Sequence, residues 1–251
     1  ESPRRAVIRL GSGLPPLPPM GLMRIEGGSG SVDLDGWIDV IVDGALGGQG
    51  MGGLELEQGS LQAEQLLFLD RHFENVAMEF NVVDNDIRAT FKAEDIDGKV
   101  RFTTGEQGMS SLSAEFERLA LADPVKTGVE MDTDPAELPT VHLYVKSFKY
   151  LGIELGETRI EAYPTSDGFH FEKVDAIAEH LTVSASGDWS LGGEGQRSDF
   201  EIHMSSESLG DFLNTMDISS SMQGGQTVVD FSAWWPGSRA ARTGSRPGTW
   251  P

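Results

Sequence analysis

The chain is predicted to be mainly β, an extended, curved, groove-like antiparallel sheet with two short amphipathic helices, and three observations predict it. Short alternating apolar runs recur along most of the sequence, Asp, Asn and Gly clusters separate them, and 31 glycines with 12 prolines exceed what a helical protein carries. Hydrophobic residues make up 38% of the chain, below the usual globular share, which favours many short strands and turns.

Residues 1–21 are basic at the start and proline-rich at Leu14-Pro15-Pro16-Leu17-Pro18-Pro19, a composition that favours extended polyproline geometry and reads as a linker. Residues 22–121 read as a first unit of strand, helix and meander. Leu34, Trp37, Ile38 and Ile41 fall at i, i+3, i+4 and i+7 and so share one helix face. Strand patterns then follow at 76–83, 87–93, 99–104 and 112–121, separated by Asp84-Asn85-Asp86, Asp97-Gly98 and Gly105-Glu106. Turn residues at that spacing predict hairpins.

Residues 122–139, with Pro124, Pro135, Pro139 and several acids, have no apolar period and read as an acidic linker. Residues 140–238 form the second strand-rich unit. Val141, Leu143 and Val145 alternate, as do Phe169 and Phe171, then Leu181, Val183 and Ala185, then Phe200, Ile202 and Met204. A second helical pattern, Leu209, Phe212, Leu213 and Met216, repeats the spacing of the first. Residues 239–251 form an atypical basic tail.

The formal charge of −21, from 40 acidic and 19 basic residues, opposes phosphate backbones, so nucleic acid is not an expected partner. The absence of cysteine excludes disulfides, thiolate metal sites and cysteine nucleophiles. No window holds the roughly 18 apolar residues of a membrane-spanning helix, and residues 1–20 lack the uninterrupted apolar core of a signal peptide, so the chain is expected to be soluble or cut from something longer.

Motifs for chemistry are weak. Gly48-Gln49-Gly50-Met51-Gly52-Gly53 fits G-x-G-x-x-G, but a helical pattern precedes it and the alternating Leu54-Glu55-Leu56-Glu57 follows, the reverse of a dinucleotide site. His72, His142, His170, His180 and His203 have no spacing that would place two imidazoles on one metal, and those in strands are expected opposite the apolar residues. Asp95, Asp97 and Gly98 resemble part of a calcium loop, yet Ala93 and Thr104 stand where ligands belong. Asp84-Asn85-Asp86 and Asp132-Thr133-Asp134 fit turns. G-x-S-x-G is absent. Neither catalysis nor a cofactor is expected.

What stands out is apolar: Phe169, Phe171, Trp189, Phe200, Ile202, Met204, Phe231, Trp234 and Trp235 lie in or beside consecutive strands. Two short helices cannot cover about a dozen strands, so part of the apolar face is expected to be open or folded on itself, and large open apolar faces bind something. About 14 strands at ~4.8 Å would span roughly 65 Å, a length suited to acyl chains rather than a compact substrate. Phe169, Phe171, Val183, Phe200, Ile202 and Met204 are the candidate lipid-binding residues. A scaffolding segment whose apolar face another part or partner covers is the main alternative; a carbohydrate-active protein would need two carboxylates singled out across a cleft.

Leu14-Pro15-Pro16-Leu17, Gly21-Leu22-Met23-Arg24-Ile25 and Val32-Asp33-Leu34-Asp35-Gly36-Trp37 resemble, in that order, the region of large YhdP-type AsmA-like proteins where a proline-rich lead enters a strand and a helix. The resemblance continues through Phe73-Glu74-Asn75-Val76, Leu112-Ser113-Ala114-Glu115-Phe116-Glu117-Arg118-Leu119, Phe148-Lys149-Tyr150 and Val183-Ser184-Ala185-Ser186-Gly187-Asp188-Trp189. It ends on Gly224-Gly225-Gln226-Thr227 and Trp234-Trp235-Pro236-Gly237, covering about residues 14 to 238. It implies a grooved β-structure in the periplasm of a diderm bacterium, anchored in the inner membrane by parts of a longer chain, with phospholipid as partner and transport toward the outer membrane as role. It supplies no catalytic motif. The family's membrane anchor has no counterpart here and the tail departs from its pattern, so a fragment is expected.

Overall fold

Alternation of apolar and polar residues builds most of what the computed structural model describes, namely residues 4–12, 15–36, 54–83, 86–105, 110–125, 134–192, 195–208, 210 and 225–236. These divide into two units, Glu1–Val125 and Lys126–Pro251. The mainly β, mostly antiparallel prediction holds in both.

The first unit has seven strands among its described residues: β1 Ala6–Leu10, β2 Leu22–Asp33, β3 Glu55–Phe68, β4 Arg71–Val83, β5 Asp86–Lys92, β6 Ile96–Thr104 and β7 Ser110–Leu121. They lie side by side in chain order. β1, β2 and β3 pair in parallel, and β3 to β7 pair as antiparallel neighbours. β1 falls within the stretch read as linker. Its hydrogen bonds come from β2, where Ile8 pairs with Ile25, and no local pattern reveals such a partner. No strand forms over 15–19.

One face of this sheet is apolar. Phe73 is 1% exposed, and Leu56, Leu66, Val76, Met78, Phe91, Ile96, Phe116 and Leu119 are likewise buried. The opposite face carries Gln62, Glu79, Arg88, Lys99 and Glu115, all exposed. The alternation breaks along one row. Gly30 and Ser31 in β2, Glu64 and Gln65 in β3, and Glu74 and Asn75 in β4 are consecutive exposed pairs, while register is kept on both sides of them. Asn75 takes a positive φ of 52° there. The three strands thus share a crease at which each turns its side chains over together.

Leu69 and Asp70 close the β3–β4 hairpin with φ of 53° and 58°, the backbone of a type I′ turn. The Asp35 carboxylate accepts both of their backbone N–H groups, at 2.9 and 3.0 Å. Arg71, buried, donates from Nε to the Ala122 carbonyl at 2.9 Å, and Val125 N–H donates to the Asp70 carbonyl at 2.6 Å. The hairpin tip therefore reaches the chain that leaves β7.

On the polar face the Asp86 carboxyl is held well below its ordinary value, at about 2, by the Thr103 hydroxyl first and then by Arg101 and Arg88. Asp97, in the segment that resembled a calcium loop, is paired with Lys92 at 2.6 Å.

The second unit has six strands among its described residues: β8 Thr140–Tyr150, β9 Ile153–Pro164, β10 Gly168–Ile177, β11 Thr182–Gly192, β12 Gly195–Ser206 and β13 Thr227–Pro236. Each pairs with the next antiparallel. Asp134, read as a turn acid, accepts from Ala136 N–H at 2.9 Å and starts a single 3-10 turn, Pro135–Glu137. This turn packs against β9, β10 and β11, with Pro135 buried. It lies inside the stretch read as acidic linker.

Of the first expected helix, residues 34–36 are helical, whereas Trp37, Ile38 and Ile41 lie outside the described residues. Leu209, Phe212, Leu213 and Met216 of the second lie outside them too, as do the Gly48–Gly53 string and the basic tail. Among the described residues no helix is long and apolar enough to cross a membrane.

Candidate functional site

Directly paired residues on neighbouring strands project to the same side of a sheet, so the ladder decides which side chains share a face. Phe171 pairs with Gly187, Gly187 with Phe200, and Phe200 with Ala233. One row along, Val174, Ala185, Ile202 and Phe231 are paired in turn; the next row is Ala176, Val183, Met204 and Val229. A further row, on the other side, runs Phe169, Trp189, Ser198 and Trp235. All six candidate residues, Phe169, Phe171, Val183, Phe200, Ile202 and Met204, therefore share one face of β10, β11 and β12.

The aromatic side chains on that face touch. Phe169 meets Phe171 edge-on at 5.3 Å between ring centroids, Phe171 meets Phe200 at 5.2 Å, and Phe200 stacks on Trp235 at 5.4 Å. These are favourable aromatic separations. The Phe171 and Phe200 rings meet although β11 runs between their strands, and Gly187 is what lets them. A methyl group there would stand 2.7 Å from Phe200 Cγ and overlap the Asp199 carbonyl. The first unit uses the same device twice: Phe80 occupies the side-chain space of its partner Gly59, and Phe116 that of its partner Gly98. Gly187 was not singled out in the sequence, although a glycine interrupting Val183, Ala185 and Trp189 at the same period was a signal for a close approach.

Access to this face grows along the unit. Val145 on β8, Ala162 on β9 and Phe169 on β10 are buried; Val183, Phe200, Ile202 and Met204 are half-buried; Phe231 on β13 is 42% exposed. Trp234, grouped by sequence with the apolar residues, instead projects from the opposite face. It is 65% exposed, and Arg197 stacks over its ring at 4.9 Å.

The opposite face is charged. His142 faces Glu161, His170 faces Asp188 at 2.7 Å and His203 faces Asp230 at 2.5 Å, each pair directly opposed across two strands. The strand histidines thus point away from the apolar residues, as their parity predicts. Burial pushes the Asp175 carboxyl up, but hydrogen bonds from Lys173 and Ser184 leave it below its ordinary value. Bonds from the Arg197 guanidinium lower Asp199 in the same way. No group of three metal-ligating side chains occurs among the described residues. The unit thus offers one charged face and one apolar, partly open face floored by aromatic rings.

No curated protein and no solved structure matches the chain. The family model described as YhdP protein matches residues 2–244. The chain therefore belongs to the YhdP protein family, a family of AsmA-like envelope proteins.

Proposed function

We propose that the second unit binds phospholipid acyl chains on the apolar face of β10 to β13, as a periplasmic, non-catalytic segment of a longer protein that assists phospholipid transport between the inner and outer membranes. The observation that supports this reading is the alignment of Phe171, Phe200, Ile202 and Met204 in adjacent rows of one face that is only half-buried. Burial of apolar surface at about 25 cal/mol per Å² makes acyl binding favourable. Rows of similar apolar character keep neighbouring positions close in energy, so a bound chain slides without a chemical step. A charge of −21 gives no attraction to anionic headgroups, which leaves the acyl chain as the source of affinity.

A scaffolding role is the second reading, and the closed apolar face of the first unit favours it there, since Phe73, Leu66 and Ile96 are already buried without a ligand. Native mass spectrometry of the chain purified gently from a diderm host separates the two. Phospholipid near one per chain, lost in Phe171→Glu and Ile202→Glu, supports binding; a folded, lipid-free chain supports the scaffold.

A further inference from the structure

The polar face of the first unit leaves its charges unevenly matched in one place. Gln58, Asn81 and Arg88 are directly paired across β3, β4 and β5, and so are Ser60, Glu79 and Thr90 two residues further along. The row between them, Gly59, Phe80 and Ala89, belongs to the other side of the sheet. Ser60 and Thr90 are short beside Glu79 and Arg88, and these six polar residues rim an open depression of about 460 Å³. That volume falls within the range of small-molecule sites.

Arg88 and Glu79 are diagonal neighbours in the ladder, about 7–8 Å apart at the backbone, yet they do not pair. Arg88 turns to Asp86 at 3.1 Å, and Arg101 reaches the same carboxylate oxygen at 2.6 Å. Asp86 therefore answers two guanidiniums, while Glu79 forms no ion pair with any described residue. Arg88 and Arg101 also stand directly opposite each other, an arrangement of like charges that destabilises a sheet. The depression thus has surplus positive charge at one end and an unanswered carboxylate at the other. The carboxamides of Gln58 and Asn81 add N–H donors at the positive end.

We propose that this depression binds a zwitterionic phosphodiester, a phosphate joined by a short arm to an ammonium group. The phosphate oxygens accept from Arg88, Asn81 and Gln58, and the ammonium donates to Glu79 beside the Ser60 and Thr90 hydroxyls. Asp86 fixes one Nη of Arg88, which holds the guanidinium in place for the directional contacts it makes with phosphate. A simple anion would answer Arg88 but meet Glu79 as a like charge, and a simple cation would do the reverse. A ligand with both charges and no net charge satisfies each end, and the −21 of the chain does not repel it. The site lies in the first unit, on the face away from its apolar core, and does not depend on acyl binding in the second.

The test uses the full chain with glycerophosphoethanolamine and its two halves, dimethyl phosphate and ethanolamine. Calorimetric titration should show the zwitterion bound about 10-fold more tightly than either half, one charge-assisted contact's worth. Glu79→Gln should bring it down to the affinity of dimethyl phosphate, and Arg88→Gln to that of ethanolamine. Both positions are exposed, so circular dichroism should show each variant folded as the wild type. In the wild-type chain the backbone amide resonances of Gly59, Asn81 and Thr90 should move on titration. Equal affinity for the zwitterion and dimethyl phosphate, an unchanged affinity in either variant, or shifts confined to other residues overturns the assignment. Vesicles of phosphatidylglycerol with and without phosphatidylethanolamine identify the source. Binding that needs phosphatidylethanolamine and is lost in both variants assigns a lipid headgroup, whereas binding of the soluble diester alone assigns a free phosphodiester.

Discussion

The rings of Phe68 and Phe91 stack at 5.8 Å with planes only 10° apart, although they belong to β3 and β5 and β4 lies between. In the ladder Phe68 pairs with Arg71 and Phe91 with Met78, seven residues apart on β4. A flat sheet would separate them by about 23 Å along the strand and ~10 Å across it, beyond the reach of two phenylalanine side chains. The first unit's sheet therefore bends toward its apolar face. Phe68→Ala removes the contact across the bend and should cost about 1–3 kcal/mol in urea denaturation, less than a core phenylalanine because Phe68 is half-buried. A loss below a few tenths of a kcal/mol would mean that the hydrogen bonds at the hairpin tip hold the bend alone.

Acid should weaken the first unit through Asp86. Its carboxyl ordinarily titrates at 3.8 and is held at about 2 in the folded chain, so the unfolded state takes up the proton first as pH falls. The stabilisation is complete above about pH 4 and disappears as pH drops through about 2. Asp86→Asn removes that dependence. Unfolding midpoints of the two proteins should differ near neutrality and converge toward pH 2; a constant difference across the range would rule out the titration.

Because the chain has no cysteine, each position of β12 can be given one without background. Cysteines at 200, 202 and 204 should be shielded from a water-soluble maleimide by added phospholipid. Cysteines at 201, 203 and 205 should react at the same rate with and without it. Protection of both sets, or of the odd set, is incompatible with binding on the proposed face.

Gly187→Ala should destabilise the second unit by about 1–3 kcal/mol, since the new methyl meets both a ring and a backbone carbonyl. Adding Phe200→Leu should return part of the loss by removing the ring, and differential scanning calorimetry of the four proteins in the cycle measures that coupling. Additive effects would show that the carbonyl contact accounts for the whole cost.

The strands that were legible in the sequence are those whose alternation runs unbroken. β5 and β7 were placed within two residues of their ends, and the shared parity of Phe171, Phe200, Ile202 and Met204 follows directly from their spacing. The crease explains much of what was not. Ala63 and Leu66, like Phe73 and Val76, are buried three residues apart, so a period of two loses phase at the row of Glu64 and Asn75. β9 was obscured in the same way at Gly156, where φ is 65° and β8 slips register opposite it. The parallel pairing of β1 and β2 had no local signature, because it depends on where the chain returns.

The three pairs of glycine and phenylalanine also solve a problem of counting. In a row of similar hairpins, a slip of one residue turns every side chain to the wrong face, but a slip of two restores the faces, so the apolar pattern alone fixes only whether an offset is odd or even. The ring that rests in an empty side-chain position breaks this tie. Displaced by two, Phe200 would stand opposite Ala185 or Trp189, Phe116 opposite Ile96 or Val100, and Phe80 opposite Glu57 or Leu61, each already filled. One glycine in each of these hairpins thus works as a keyhole, and a chain whose strands otherwise look alike can close each hairpin at a single offset.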